Sequence, residues 1–344
     1  CRKSSKDIKV NILHIVGARP QFMKLAPLVK QLSRCNLEFD ICHTGQHYDR
    51  TMSENFFIEL DIELPKFKFN NNNKSYSNML SNMIVDISSI IDDYTDVFVY
   101  GDTLTTLAGA MASIFCGKTL HHIESGIRCK NLEMPEEKIR RIVDESSNYL
   151  YCLTEGDRYN LSHVGGKVSV VGDLMYENFL SYNIKNIGMS DYVFVTIHRE
   201  ENTRKEQLTN IVNQLNTLSL TENIIFPIHP RTKKMMELYE IKPNFEPIDP
   251  ISYGEVLSYI KNCNYVISDS GGVPKEAYWL GKKSVVVMKN LVYEILKTEK
   301  YNIRSDYNSI LENIDKLHNL PDITNFNLFG DGKTSKKIVE SLSE

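Results

Sequence analysis

Short apolar runs of strand length alternate with longer segments of helical period along most of this chain. VNILHIVG (Val10–Gly17) reads as a first buried strand, and ARPQFMKLAPLVKQLSR continues as a helix with Pro20 near its start. FDICHTG, from Phe39, is a second strand ending in a loop, and the polar stretch Asn70–Ser77 reads as a loop between helical stretches. DVFVYGD is a strand ending at Asp102. TLTTLAGAMASIFC follows as a helix whose small residues permit close packing on a sheet. KTLHHIESG is another strand, and IRRIVDESSNYLYCLT gives a helix running into a further strand.

Near residue 172 the pattern restarts. DYVFVTIH (Asp191–His198), a helix from about Lys205, NIIFPIHP (Asn223–Pro230), another helix, and NYVISDSGG followed by a helix and KSVVVM form a second series. Strands alternating with helices imply mostly parallel sheets. The expected fold class is therefore α/β, with two doubly wound domains whose parallel sheets face a central cleft. Residues 1–175 form the first domain, 176–328 the second, and DGKTSKKIVESLSE lies in a terminal helical segment over 329–344.

Composition narrows the function without naming it. A length of 344 residues suits two domains, and 42% hydrophobic and 24% charged residues describe a globular protein. With a formal charge of −4 there is no broad basic excess, which argues against nucleic acid as a partner. No run approaches the 18 or so apolar residues of a membrane span, and CRKSSKDIKV lacks an apolar signal core, so a cytoplasmic location is expected. Seven cysteines without CxxC or Cys/His metal spacing fit a reducing compartment.

The polar residues at strand ends carry the chemistry. In open α/β sheets the carboxyl ends of strands face the ligand crevice, so dispersed residues can converge there. Asp102 follows VFVY and Glu124 follows HHI; a helix cap or a solvated loop charge would also account for each. Glu136 and Glu137 begin a helix, where stabilising its dipole is sufficient reason for acids, and Arg140 has i,i+4 spacing to Glu136. His198 ends DYVFVTIH beside Arg199, Glu200 and Glu201, placed either for proton exchange or as a structural donor. His229 is better suited to orienting a ligand or pinning Arg231.

Two turns look able to hold anions. GARPQFMKLAP puts a glycine turn before Arg19 and Lys24, which reads either as an anion site with free backbone N–H groups or as a simple turn with solvated cations. It is not GxGxxG. DSGGVPKEA offers Ser270, Gly271 and Gly272 at a second turn, with Glu276 placed either to accept from a ribose diol or as a helix-surface charge. His121 and His122 adjoin Glu124, but no third ligand completes a metal set, and there is no serine elbow, HExxH or EF-hand.

GARPQFMKLAPLV, TGQHYDRTMSENFF, YGDTLTTLAGA, HHIESGIR, MPEEKIRRIVDE, TIHREEN, FPIHPRT, SDSGGVPKEAYWLGK and FGDGKTSKKIVESL together resemble the non-hydrolysing UDP-N-acetylglucosamine 2-epimerase family along nearly the whole chain. The resemblance implies a GT-B-like pair of Rossmann-like domains, a homodimer, and a terminal helix that crosses back onto the N-terminal domain. It implies inversion at C2 of a UDP-linked N-acetylhexosamine without NAD or metal, by anti elimination of UDP to a 2-acetamidoglycal and re-addition. Asp102, Glu124, Glu136 and His198 match the catalytic positions. Arg19, Lys24 and Arg140 would neutralise phosphate or position the acids, while Ser270, Gly271, Gly272 and Glu276 would hold pyrophosphate and ribose, with His229 beside the ligand.

One segment departs from that pattern. After KSVVVM the chain has KNLVYEILKTEK, in which Lys289 and Glu294 keep part of the family's charge pattern while the arginine or tryptophan usually between them is missing. Apolar Leu291, Val292 and Tyr293 suit a sugar C6 methyl, or simply pack a shortened loop. Gln46–Asp49 (QHYD) resembles the branch with archaeal and capsule-sugar enzymes. The expected substrate is UDP-N-acetylglucosamine/UDP-N-acetylmannosamine or a 6-deoxy relative such as UDP-N-acetyl-L-rhamnosamine. A hydrolysing epimerase, a GT-B glycosyltransferase and a non-catalytic nucleotide-sugar binding protein are the competing readings.

Overall fold

The computed structural model describes residues 10–46, 56–71, 75–129, 131–288, 294–298 and 300–342. Contacts divide the chain into two units, residues 1–181 with 329–344, and residues 182–328.

The first unit is built on a seven-stranded parallel sheet: β1 (Ile12–Val16), β2 (Phe39–His43), β3 (Phe67–Lys68), β4 (Asp96–Tyr100), β5 (Thr119–Ser125), β6 (Tyr149–Cys152) and β7 (Lys167–Val170). Their order is β3-β2-β1-β4-β5-β6-β7. Central strands of a parallel sheet are covered on both faces, which is why Val97–Tyr100 and Leu120–Ser125 are buried without alternation. The chain steps outward from β1 to β3 and then returns to lay β4 on the other side of β1. That reversal is a topological switch point, and the turns leaving β1 and β4 open side by side there.

Helix Leu104–Phe115 packs against both Tyr76–Ser88 and Pro135–Ser146. Their apolar stripes join Leu13, Ile15, Val97, Val99 and Leu120 in one core. Helix Arg19–Arg34 packs on Leu174–Leu180 and on Thr334–Ser341, the last helix of the chain. Ser335 donates to Glu177 from both its backbone N–H (2.7 Å) and its hydroxyl (2.5 Å), and Tyr151 bonds Ser341 at 3.0 Å.

The second unit has five parallel strands, β8 (Tyr192–Thr196), β9 (Asn223–Ile225), β10 (Val266–Ser268), β11 (Ser284–Val287) and β12 (Asn302–Ser305), in the order β12-β11-β10-β8-β9. Alternate residues of β8 face different cores. Val193 and Val195 meet Leu208, Ile211, Val212 and Leu215 of helix Lys205–Leu218, while Tyr192 and Phe194 meet Ile260 and Ala277. Here the switch point lies between β8 and β10, whose residues Thr196 and Ser268 are in register.

The sequence reading missed β3, β7 and β12, the two edge strands of the first sheet and one of the second. The Asn70–Ser77 stretch follows a strand, not a helix. Within it Asn71 is buried, its amide donating to the Thr44 carbonyl and to Asp86, both at 2.9 Å.

Gly109 shows how closely the helix Leu104–Phe115 lies on the sheet. A Cβ added there would stand 2.7 Å from Val99 Cγ1 and 3.3 Å from Ile15 Cβ. Gly109→Val is therefore expected to destabilise the first unit by about 1–3 kcal/mol through overpacking, measured by denaturant titration. At Gly165, where an added Cβ meets nothing within 4 Å, Gly165→Ala serves as the control and leaves the midpoint unmoved.

Candidate active site

In the first unit the polar groups gather at the β1/β4 switch point and the neighbouring end of β5. Gly17 has to be small: an added Cβ would lie 2.3 Å from both Thr44 Oγ1 and Thr105 Oγ1. Gln21, buried at the start of the first helix, accepts from the backbone N–H groups of Gly17 (2.8 Å) and Ala18 (3.1 Å). Its amide donates to the Tyr100 carbonyl, Thr103 Oγ1 and Thr106 Oγ1. The glycine turn thus spends those two N–H groups on Gln21, which corrects the expectation that they are free to cradle an anion.

Neither cation beside that turn is simply solvated. Arg19 is exposed but lies over the Phe56 ring at 4.5 Å, and Lys24 is buried in an ion pair with Glu124. Gln46 joins the group by accepting from the Thr105 N–H and hydroxyl; the rest of the QHYD segment lies outside the described residues.

Asp102 and Glu124 are neither caps nor solvated loop charges. Gly101, immediately before Asp102, donates its N–H to the Ile123 carbonyl at 2.9 Å, immediately before Glu124. A Cβ on Gly101 would be 3.4 Å from both Lys24 Nζ and Glu124 Oε2. Glu124 has φ of 68°, a left-handed conformation that costs a side-chain-bearing residue about 1–2 kcal/mol, so its direction is imposed by its surroundings.

Arg140 reaches Asp102 with Nε at 2.9 Å and Nη2 at 2.5 Å, both on Oδ2. Oδ1 has no partner among the described residues, and the side chain retains 30% exposure. Burial works to deprotonate Arg140, but the charges of Asp102 and Glu137 outweigh it and raise its proton affinity. The acids at the helix start divide sharply. Glu136 is exposed, while Glu137 is fully buried and bonded to the Cys129 N–H, Arg140 and Arg141. The Glu136–Arg140 pair read from spacing is replaced by Asp102–Arg140–Glu137.

In the second unit Asp269, fully buried, ties two loops together. It accepts from the backbone N–H groups of His198 and Arg199 and from Asn202 Nδ2, and lies 3.2 Å from His198 Nδ1. Burial lowers the proton affinity of His198, Asp269 opposes this, and Arg199 and Arg231 reinforce it, for a net downward shift. The shift favours the neutral imidazole. A hydrogen on Nδ1 directed at Asp269 leaves Nε2 with a lone pair.

His229, 5.5 Å away between ring centroids, uses Nδ1 to accept the Arg231 N–H and so caps the next helix. At the DSGG turn, Ser270 Oγ accepts from Gly272 N–H (3.3 Å) and Val273 N–H (3.5 Å), and Ser268 Oγ takes the Ser270 N–H (3.0 Å). Those N–H groups are not free, so what the turn offers is open backbone: an added Cβ on Gly271 would approach Arg199 Nη2 no closer than 3.7 Å. Glu276 is buried in the first turn of the helix Val273–Trp279, not an exposed helix-surface charge.

Lys289 to Tyr293 lie outside the described residues, as does the side chain of Glu294. Among the described residues no three His, Cys, Asp or Glu side chains are placed to hold a metal, the cysteines are free thiols, and no helix is long and apolar enough to cross a membrane.

Two parallel α/β units with polar groups collected at the switch point of each have the GT-B-like fold class of nucleotide-sugar enzymes. The family model for UDP-N-acetylglucosamine 2-epimerase matches residues 30–343. A UDP-N-acetylglucosamine 2-epimerase homolog of Methanococcus maripaludis is 38% identical over 97% of this chain and 99% of its own. The UDP-2,3-diacetamido-2,3-dideoxy-D-glucuronate 2-epimerase of Pseudomonas aeruginosa is 33% identical over 97% of this chain and 100% of its own. The crystal structure of Methanocaldococcus jannaschii UDP-GlcNAc 2-epimerase, in complex with UDP-GlcNAc and UDP, superimposes with a TM-score of 0.86 at 31% identity, covering 97% of this chain and 99% of that one. The chain belongs to the UDP-N-acetylglucosamine 2-epimerase family, and it is an epimerase-type enzyme.

Sequence reasoning gave no role to Gln21 or Asp144, weighed Glu137 only as an acid at a helix start and His122 only in an incomplete metal set, and passed over Asp269 within the DSGG turn. Part of the signal was there. Glu137, Arg140 and Asp144 stand at i, i+3 and i+7, one stripe of the helix and all buried, but period alone does not set Glu136 apart, because it shares a stripe with buried Ile139, Arg140 and Val143 and is exposed in the first turn. Glu137→Ala should therefore lower unfolding stability by about 3 kcal/mol or more, because it leaves buried Arg140 short of a carboxylate. Glu136→Ala should leave the unfolding midpoint unchanged; similar losses for the two variants would contradict this division.

Proposed function

We propose that the protein inverts C2 of a UDP-N-acetylhexosamine by eliminating UDP to a 2-acetamidoglycal and adding it back, without release of free sugar. The observation that carries this reading is the pair of unlike carboxylates on adjoining turns. Asp102 keeps one oxygen uncommitted and partly exposed, and Glu124 is buried against Lys24. Inversion needs a proton taken from one face of C2 and one delivered to the other, hence separately placed acid–base groups.

The chemistry balances without a redox partner. The anomeric C1–O bond breaks with its electron pair leaving on UDP, the C2 proton passes to a carboxylate, and a C1=C2 bond forms. Protonation of C2 on the opposite face and attack of a UDP oxygen on C1 reverse these steps. Departing UDP gains negative charge, and cations placed where that charge develops lower the barrier. Arg199 beside Gly271 is such a group; the small Ser270–Gly272 turn and Glu276 suit the diphosphate and ribose. Asp102, Glu124, Glu136 and His198 are assigned to proton transfer or to stabilising cleavage, with Arg19, Lys24, Arg140 and His229 in support.

Relatives of similar identity are named for different UDP-sugars, so the sugar is decided by assay. The panel comprises UDP-N-acetylglucosamine, UDP-N-acetylmannosamine, 6-deoxy counterparts differing only at C6, and UDP-2,3-diacetamido-2,3-dideoxyglucuronate. In deuterated water, proton NMR is expected to show C2 inversion with deuterium at C2 and the UDP linkage retained. Free sugar with UDP would mean a hydrolysing enzyme, and consumption only after adding an acceptor would mean a glycosyltransferase. Turnover is expected to persist after exhaustive EDTA treatment without added NAD. Asp102→Asn, Glu124→Gln, Glu136→Gln and His198→Asn should each lower kcat about 100-fold or more. Near-normal turnover in all four, with UDP-sugar still bound, would refute the assignment.

A further inference from the structure

His122 and Asp144 are both fully buried, and the proposed chemistry uses neither. His122 Nε2 is 2.8 Å from the Gly101 carbonyl. A carbonyl oxygen only accepts, so Nε2 carries a hydrogen and donates it. On the other side of the ring, Nδ1 is 2.7 Å from Asp144 Oδ1. Asp144 Oδ2 in turn accepts the Gly126 N–H at 3.2 Å and Arg128 Nη1 at 2.6 Å. Burial pushes the Asp144 pKa up, but the His122 bond and charge, with Arg128, overcome this and hold it below the usual value.

One carboxylate therefore grips two turns. It takes the N–H of Gly126, two residues after Glu124, and through His122 it fixes the carbonyl of Gly101, the residue before Asp102. Both turns run through left-handed backbone, at Gly101 (φ 66°) and at Glu124 and Gly126 (φ 68° and 81°). Asp144 also lies one helical turn beyond Arg140, which holds the Asp102 carboxylate. The helix Pro135–Ser146 thus sets both the backbone and the side chain of Asp102.

We propose that His122 and Asp144 are positioning residues, a buried strut that fixes Asp102 and Glu124 relative to each other for proton transfer at C2. The inference rests on the epimerase reading and deepens it. A strut that merely stabilised the fold would lower melting temperature and leave turnover of the folded fraction alone. A positioning strut lowers kcat while substrate binding persists, because small displacements of reacting groups cost large factors in rate.

The test uses two substitutions of similar disruption and different reach. His122→Gln places an amide nitrogen near the position of Nε2 and can still donate to Gly101. His122→Asn places one near Nδ1, which keeps the Asp144 bond and loses the one to Gly101. Assayed well below both melting temperatures, His122→Asn should lower kcat about 30-fold or more with KM and UDP affinity within about threefold of wild type. His122→Gln should recover most of the loss. Equal kcat in the two variants, or kcat near wild type in both, would overturn the proposal.

If neither variant folds, Arg128→Gln and Arg128→Lys take their place, since Arg128 grips Asp144 from a partly exposed position. Arg128→Gln should then lower kcat without raising KM, and Arg128→Lys should restore it; unchanged kcat in Arg128→Gln would overturn the proposal. An inactive wild type would overturn the epimerase reading alone. Nitrogen-15 spectra of the His122 ring need no turnover, and a ring lacking hydrogen on Nε2 would overturn the strut.

Discussion

Charge buried at the carboxyl ends of parallel strands has to be matched, and the first unit is organised around that requirement. Four carboxylates, Glu124, Glu137, Asp144 and the partly buried Asp102, meet Lys24, Arg140, Arg128 and His122 around the turns that follow β4 and β5. An unpaired charge in such a place costs several kcal/mol, so each partner constrains where the others can sit. The close packing of the sheet and helices, visible at Gly17 and Gly109, removes the slack with which a mismatch could be absorbed.

This constraint explains why the two candidate acids differ. Glu124 is held by its backbone conformation and by Lys24 together, and little of it reaches solvent. Asp102 is gripped on one oxygen by Arg140 and presents the other. Two chemically identical side chains are thereby given different surroundings, the usual way a protein makes one carboxyl group behave unlike its neighbour. Gln21 does the corresponding work without charge. One side chain ties the turn after β1 to the turn after β4, so the two edges of the switch point are not independent.

Much of this was legible in the sequence, for reasons that mark where legibility stops. Continuous apolar runs such as Val97–Tyr100 announce strands buried on both faces, and Asp102, Glu124 and His198 stand just past such runs, where ligand-facing groups belong. Phe67–Lys68 and Lys167–Val170 are edge strands, one too short and the other too half-buried to carry a pattern. Strand order depends on which strand the chain returns to, which no local period records. The hubs were hidden for a different reason. Asp144 and Asp269 accept hydrogen bonds from other segments of the chain and Gln21 donates to them, so their partners, up to 85 residues away for Gln21, had to be brought near before their role existed.

The second unit reaches a similar end with a simpler device. Asp269, just past β10, accepts from the backbone of the loop that leaves β8, so the strands flanking the switch point are joined by their own loops and not through an intervening helix. The same carboxylate opposes the loss of the His198 proton while burial and two arginines favour it. His198 is thus poised by the group that positions it, and its charge and its place cannot be altered separately. In the first unit those tasks are split, with Arg140 and Lys24 facing the candidate acids and His122 with Asp144 behind them. A buried carboxylate that accepts backbone N–H groups is common to both units, and in each it holds rigid the loop from which a titratable side chain projects.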